Sequence, residues 1–108
     1  MGSLKKNFGA RIQEIRKSKK LTQEKLAEKI GLDTPNLSNI ERGKRFVSAE
    51  TLEKIACALN ISEKDLFDFK HFQSKENLIS DINEVLNNSS EKEVQLCYKF
   101  VVNLKQLM

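Results

Sequence analysis

Amide, hydroxyl and cationic side chains are concentrated between residues 34 and 45. Asn36 and Asn39 each carry an amide, which can donate and accept hydrogen bonds together and so matches N7 and N6 of adenine. Three cations, Arg42, Lys44 and Arg45, follow within four residues. Cations of this kind bind phosphates, while amides and hydroxyls suit base edges. The segment therefore has the chemistry of a polyanion contact.

Side chains that could support catalysis are sparse. Catalysis needs a nucleophile beside a base, a metal cluster or a phosphate loop, and the one histidine, His71, stands in a connector between helical patterns. Cys57 and Cys97 lie inside apolar patterns, so we expect both to be small buried hydrophobes. Two isolated cysteines and one histidine cannot build an ordinary zinc site. We therefore predict no enzyme activity, no metal and no cofactor.

Charge divides the chain into regions. Residues 1–45 carry twelve Lys and Arg against five Asp and Glu, a net charge of +7. Residues 46–71 carry a net −2 and residues 72–108 a net −1, which together give the +4 of the whole chain. This segregation is the electrostatic footprint of a surface that binds phosphates.

Two short helical patterns joined at Gly31 position the polar cluster. Thr22 is a hydroxyl N-cap for the first pattern, about residues 23–30, and Gly31 suits the left-handed residue just past a helix end. The second pattern covers about residues 35–42 and stops at Gly43. Because about three residues separate the patterns, the helices must cross steeply, as in a helix-turn-helix unit. The apolar positions expected in the core are Leu26, Ala27, Ile30, Leu37 and Ile40.

The start of the second of these helices has two interpretations. Asp33 can act as its N-cap. Proline disfavours helical geometry in the residue before it, so Thr34 can instead be the cap, with Pro35 at the first helical position. The two alternatives differ in the side chain that leads the helix.

Five further helices are predicted, and no strand pattern occurs. A first helix covers about residues 8–19, a fourth runs from the N-cap Ser48 to Leu59, and a short fifth ends near Phe67 after a Ser62–Asp65 capping box. Ser74 begins a sixth helix. The apolar positions expected to be buried by the first and fourth helices are Phe8, Ile12, Ile15, Leu52, Ile55, Ala56 and Leu59.

A seventh helix begins at a Ser90–Glu93 capping box and carries a long apolar stripe. The stripe spans two heptads, which is too short for a stable coiled coil alone. The last two helices must therefore pack on the first domain or on a partner, and we expect a two-fold pairing with a second copy. The residues predicted at this dimer interface are Val94, Cys97, Tyr98, Val101, Leu104 and Met108.

The predicted architecture is all-α, a five-helix DNA-binding domain plus a two-helix extension. Its parts are an N-terminal tail (1–7) whose Met-Gly-Ser start is typical of a cloning remnant, the helix-turn-helix domain (8–69), a connector (70–74) and a helical hairpin (75–108). No apolar run is long enough to cross a membrane, and the N-terminus lacks a signal-peptide pattern. We therefore expect a cytoplasmic protein.

The run from Phe8 to Phe67 resembles the lambda-repressor/Cro superfamily in its Xre-like branch. The segments that carry the resemblance are RIQEIRKSKKLTQEKLAEKIGL, LSNIERGKR and ETLEKIACALNIS, about three-fifths of the chain. The resemblance implies that the third helix reads base edges and that Arg16 and Glu41 form an ion pair between the first and third helices. The implied base-reading residues are Thr34, Pro35, Asn36, Ser38 and Asn39. Phosphate ligands are predicted from helix N-terminus and charge chemistry: Gln23, through its backbone N–H and its side chain, and the cations Arg42, Lys44, Arg45 and Arg11. Arg45 has the alternative of entering a minor groove.

The resulting hypothesis is a sequence-specific regulator of transcription that binds double-stranded DNA, a repressor acting on a palindromic operator as a homodimer. Two half-sites one helical turn apart supply the specificity that one helix lacks. The alternative is an antitoxin-like or adaptor protein whose C-terminal helices bind a heterologous protein. The sequence leaves open whether a protein or a small molecule acts as effector.

Overall fold

Residues 4–108, the part of the chain that the computed structural model describes, form six α-helices and one 3₁₀ helix, with no strand. The predicted all-α fold is confirmed. Residues 1–3 of the predicted tail lie outside the described residues. The helices are α1 (Leu4–Ser18), α2 (Gln23–Ile30), α3 (Thr34–Glu41), α4 (Ala49–Leu59), the 3₁₀ helix (Glu63–Phe67), α5 (Lys75–Asn87) and α6 (Glu91–Leu107).

The chain divides into two compact units, one ending at Phe72 and the other formed by Gln73–Met108. The division falls within the predicted connector, residues 70–74. No helix between residues 4 and 108 has both the length and the apolar character that a membrane span requires.

The first unit is built around one hydrophobic core. Phe8, Ile12, Leu26 and Leu37 are completely inaccessible to solvent, and Leu66 of the 3₁₀ helix closes the cluster. Every apolar position predicted for α1 to α3 is buried, and so are those predicted for α4 except Leu52, which is half-buried. Helical spacing therefore located this core apart from Leu66, because each of α1 to α4 buries a single stripe.

The first helix is longer than predicted. It begins at Leu4, so residues 4–7 are part of α1 and not of an N-terminal tail. The local sequence, Leu-Lys-Lys-Asn, contains no helix breaker. This extra turn lies against the loop after α3: a Cβ added to Gly43 would meet the Cα of Lys6 at 2.6 Å. Gly43, at φ +77°, is the residue that fits this contact.

The two interpretations of the start of α3 are resolved in favour of Asp33. Its backbone is extended, at φ −81° and ψ 159°, and its carboxylate accepts a hydrogen bond from the Asn36 N–H at 2.8 Å. Thr34 is the first helical residue and Pro35 the second. Proline is tolerated there because N–H groups of the first turn have no partner within the helix. The aspartate also complements the positive end of the helix dipole.

The second unit consists of α5 and α6. The Ser74 hydroxyl accepts from the Asn77 N–H at 3.1 Å, and Ser90 and Glu93 form the predicted capping box at the start of α6. No residue of either helix is buried. Their apolar side chains line a groove of about 710 Å³ that includes Ile82, Val85 and Tyr98.

The expectation that both cysteines are buried is wrong. Cys57 and Cys97 are free thiols exposed to solvent. Cys57 follows buried Ala56 but points away from the core, because one residue turns a helix by about 100°. Cys97 belongs to the apolar stripe of α6, which has no cover within the second unit.

Candidate nucleic-acid interface

The recognition helix of the candidate site is α3, which has one buried and one accessible side. Leu37 and Ile40 are buried against the core. The helix also approaches α1 closely, since a Cβ on Gly9 would lie 2.2 Å from the Ile40 carbonyl oxygen. The predicted base-reading residues keep access to solvent: Pro35 is exposed, and Thr34, Asn36, Ser38 and Asn39 are half-buried.

A buried ion pair fixes α3 to α1. Arg16 Nε donates to Glu41 Oε2 at 2.7 Å and Nη2 donates to Oε1 at 3.0 Å, with side chains only 8% and 2% exposed. This is the pair that the family resemblance implied. The Arg16 guanidinium also donates to the Leu21 carbonyl at 2.8 Å. A bidentate contact of this kind sets the angle as well as the position of the helix.

Gln23 joins the same network. Its Nε2 donates to Glu41 Oε1 at 2.9 Å, which links the start of α2 to the end of α3. The sequence suggested this side chain as a phosphate ligand, but in the structure it is engaged within the scaffold. Its backbone N–H remains at the first turn of α2, where unpaired N–H groups suit an anion.

A tight turn after α3 brings the three predicted phosphate-binding cations together. The Gly43 N–H donates to the Ile40 carbonyl at 3.0 Å and the Lys44 N–H donates to the Asn39 carbonyl at 2.9 Å. These two bonds form a Schellman motif, in which a left-handed glycine ends the helix. Arg42, Lys44 and Arg45 are all exposed beside the accessible side of α3.

Two of these cations contact the asparagines of α3 directly. Arg42 Nη2 donates to Asn39 Oδ1 at 2.9 Å. Arg45 Nη1 donates to Asn36 Oδ1 at 2.8 Å. Sequence reasoning missed both contacts. The spacing of three residues between Asn39 and Arg42 signals the first one, whereas the second depends on the turn at Gly43 and has no local signal.

Arg11 differs from the other predicted phosphate ligands. Its Nε donates to the Asp65 carbonyl at 2.9 Å and its Nη1 contacts Glu14 at 2.8 Å, where α1 meets the 3₁₀ helix. Glu14 also contacts His71 Nε2 at 2.8 Å. Partial burial raises the pKa of Glu14, but the hydrogen bonds from Arg11 and His71 outweigh burial and lower it below its ordinary value. The structure thus places Arg11 in a local ion-pair cluster and not among the cations that follow α3.

Residues 4–108 contain no group of His, Cys, Asp and Glu arranged to hold a metal ion. The candidate site consists of a helix held by a buried ion pair, with amide and hydroxyl side chains that keep access to solvent. Cations follow at its end. A helix held in this way, with polar side chains on one side and cations at its end, is typical of the helix with which helix-turn-helix proteins read DNA.

Comparison with known proteins supports this class. The family model HTH_3, "Helix-turn-helix", matches residues 12–66, slightly more than half of the chain, so the chain belongs to this family. The resemblance to Cro-type and repressor-type regulators is confirmed. The protein is a DNA-binding regulator of transcription and not an enzyme.

Two curated relatives illustrate the family. Control protein C.BamHI of Bacillus amyloliquefaciens is 48% identical over 63 residues, which cover 57% of this chain and 78% of the relative. The immunity repressor protein of Bacillus phage phi105 is 38% identical over 86 residues, covering 80% of this chain and 56% of the repressor. The second match therefore extends beyond the helix-turn-helix domain.

Two solved structures of SinR are similar to the chain. SinR, the master regulator for biofilm formation, in complex with DNA is 39% identical, with a TM-score of 0.54 over 56% of this chain and 98% of that one. The SinR–SinI protein complex gives 30% identity and a TM-score of 0.56 over 92% of this chain and 98% of that one.

Proposed function

We propose that the chain is a cytoplasmic repressor that binds a palindromic operator as a homodimer, with α3 of each copy in a major groove. The accessible side of α3 carries this proposal, because its amides face solvent while the Arg16–Glu41 pair holds the helix in place. The residues that would contact bases are Thr34, Pro35, Asn36, Ser38 and Asn39. Phosphate contacts would come from Arg42, Lys44, Arg45 and the first turn of α2.

The two-fold contact in this proposal is formed by α5 and α6. Four of the residues predicted at the interface line the apolar groove: Val94, Cys97, Tyr98 and Val101. Val94, Tyr98 and Val101 are 37%, 70% and 54% exposed. So continuous an apolar surface is unusual for a monomer. An isologous pairing would cover it and would match the symmetry of a palindromic operator.

A second candidate partner is a heterologous protein that occupies the same groove. The solved SinR–SinI complex supports this alternative, since its likeness to the chain extends to 92% of the present sequence. A partner protein on α5 and α6 would make the chain an adaptor or an antagonised regulator, still with DNA bound by α3.

Selection of bound duplexes from a random DNA pool by the purified protein tests the proposal. We expect an enriched palindrome with half-sites about 10 base pairs apart, or a multiple of that distance. If a dimer neutralises about six to ten phosphates, affinity should fall by about 10³–10⁵ between 50 and 200 mM salt. A flat salt titration, or a pool without enrichment, would refute operator binding.

Enrichment of a single half-site, instead of a palindrome, would favour the heterologous partner over the homodimer. It would mean that the protein reads DNA without a two-fold contact, and the apolar groove would then be available for a heterologous chain.

A further inference from the structure

The contacts between the asparagines of α3 and the arginines after it suggest that the arginines have a role in base recognition. We propose that Arg42 and Arg45 determine base specificity by positioning the amides of Asn39 and Asn36. This inference rests on the proposed reading of bases by α3. Arginines in this loop would otherwise be assigned to phosphate binding alone.

The chemistry of the amide supports the proposal. A side-chain amide can be flipped by 180°, which exchanges its acceptor and its donor at almost no change in shape. Adenine is recognised by one arrangement only, with the oxygen accepting from N6 and the nitrogen donating to N7. An unrestrained asparagine therefore has an equally shaped orientation that does not match adenine.

A guanidinium removes this ambiguity. Arginine only donates hydrogen bonds, so it can pair with the amide oxygen and not with the amide nitrogen. Arg42 lies 2.9 Å from Asn39 Oδ1, and Arg45 lies 2.8 Å from Asn36 Oδ1. An amide oxygen has two lone pairs. One accepts from the arginine, while the other and both N–H donors stay available for a base.

The two arginines reach their asparagines in different ways. Arg42 follows Asn39 by three residues, so the two side chains share one face of the helix end. Arg45 is nine residues from Asn36 and reaches the first turn of α3 because the chain reverses at Gly43. Both contacts are charge-assisted hydrogen bonds, which are about twice as strong as hydrogen bonds between neutral groups.

The test compares base preference and salt dependence for charge-conserving variants. Arg42→Lys keeps the positive charge but replaces the planar guanidinium by a flexible point charge. We expect it to reduce the preference at the base pair read by Asn39 on the order of tenfold while the salt dependence stays that of wild type. Lys44→Arg is the matched control, since the Lys44 side chain makes neither asparagine contact in the described structure.

Coupling to the asparagine distinguishes positioning from direct reading. Asn39→Ala alone should remove the same preference, and Arg42→Lys should then change nothing further in the Asn39→Ala background. Arg45→Lys and Asn36→Ala form a second, independent pair. Thermal unfolding of Arg42→Lys and Arg45→Lys should match wild type, because both arginines are exposed.

Three results would overturn the inference. A wild-type specificity profile for Arg42→Lys and Arg45→Lys would mean that the arginines serve phosphates only. An equal loss of preference with and without Asn39 would mean that Arg42 reads a base itself. Absence of any base preference in the wild-type protein would refute the proposed function together with this inference, so the two failures are distinguishable.

Discussion

Both units of the chain consist of capped helices, but they differ in how many of their side chains are buried. Twelve hydrophobic side chains are buried in the first unit, and none is buried in α5 or α6. Yet Ser48 caps α4 in the same way as Ser74 caps α5 and Ser90 caps α6. Capping and apolar periodicity are local properties, whereas a core needs residues distant in sequence.

This difference separates two sources of helix stability. Caps are worth about 1 kcal/mol each, and isolated helices of 13 to 17 residues are marginal in water. The helices of the first unit are stabilised by burial of their apolar stripes. For α5 and α6 the comparable contribution would come from a partner, which is the physical basis of the proposed dimer.

The largest effect expected from this comparison is on self-association. A chain ending at Gln73 should be monomeric and folded, while the full chain should be dimeric at tens of micromolar. A dimer with a dissociation constant of about 10 μM has a free energy of association of about 7 kcal/mol, all of which the truncation would remove. Sedimentation of both chains measures this.

Two outcomes would change the interpretation. A full-length monomer at tens of micromolar would contradict the proposed interface. A dimer that survives truncation would move the interface into the first unit.

The next largest effect concerns the stability of the first unit. Glu41→Ala leaves the Arg16 guanidinium buried without its partner, which should cost about 3–5 kcal/mol in the free energy of unfolding. Glu14→Ala is the matched control, because it removes an ion pair in which the glutamate is 41% exposed and should cost about 0–1 kcal/mol. Urea denaturation of the two variants gives both values. Equal losses would show that burial of the pair has no special role.

The same substitution made in both units compares them directly. Ile12 is completely buried, and Ile12→Ala should cost about 2–5 kcal/mol at any protein concentration. Ile82 is 56% exposed and lines the groove, so Ile82→Ala should leave the monomer nearly unchanged and weaken only the dimer. Its effect on melting temperature should therefore appear at high protein concentration and vanish at low concentration. A fall in melting temperature for Ile82→Ala that does not depend on protein concentration would contradict the proposal that Ile82 is buried only in the dimer.

Most of the fold follows from the sequence because its determinants are local. The bounds of α2, the left-handed Gly31 and the caps Ser48, Ser74 and Ser90 all agree with the sequence-based expectations. The ion pair of Arg16 and Glu41 came from family resemblance, since no local pattern joins residues 25 positions apart.

The structure differs from the sequence-based expectations where tertiary contacts determine the position of a side chain. Cys57 was expected to be buried because its neighbours are apolar, but the direction of the α4 stripe excludes it. The pairing of Asn36 with Arg45 depends on the turn at Gly43. The engagement of Gln23 with Glu41 likewise depends on how α2 meets α3. Which residues touch DNA stays a prediction, because contact with DNA is a property of the complex.

The smallest expected effect is a pH dependence of the start of α6 in the second unit. The Ser90 N–H donates to the Glu93 carboxylate at 2.8 Å, and this backbone hydrogen bond, helped by the Ser90 hydroxyl, lowers the pKa of Glu93 below its ordinary value of 4.5. A carboxyl whose pKa is lower in the folded state stabilises that state above its ordinary pKa. The contribution is lost as the pH falls through the folded pKa, below 4.5.

Acid should therefore loosen the first turn of α6, which no buried core supports. Glu93→Gln keeps the capping hydrogen bond without a titrating group, so it should flatten this part of the response. Glu14→Gln is the matched control, because the pKa of Glu14, in the first unit, is also lowered. This variant should leave the acid response of amide exchange in α6 unchanged. Amide exchange at the start of α6, followed from about pH 7 to about pH 3, resolves the effect after correction for intrinsic exchange rates. An identical acid response of α6 in wild type and Glu93→Gln would show that the capping box is not the titrating element.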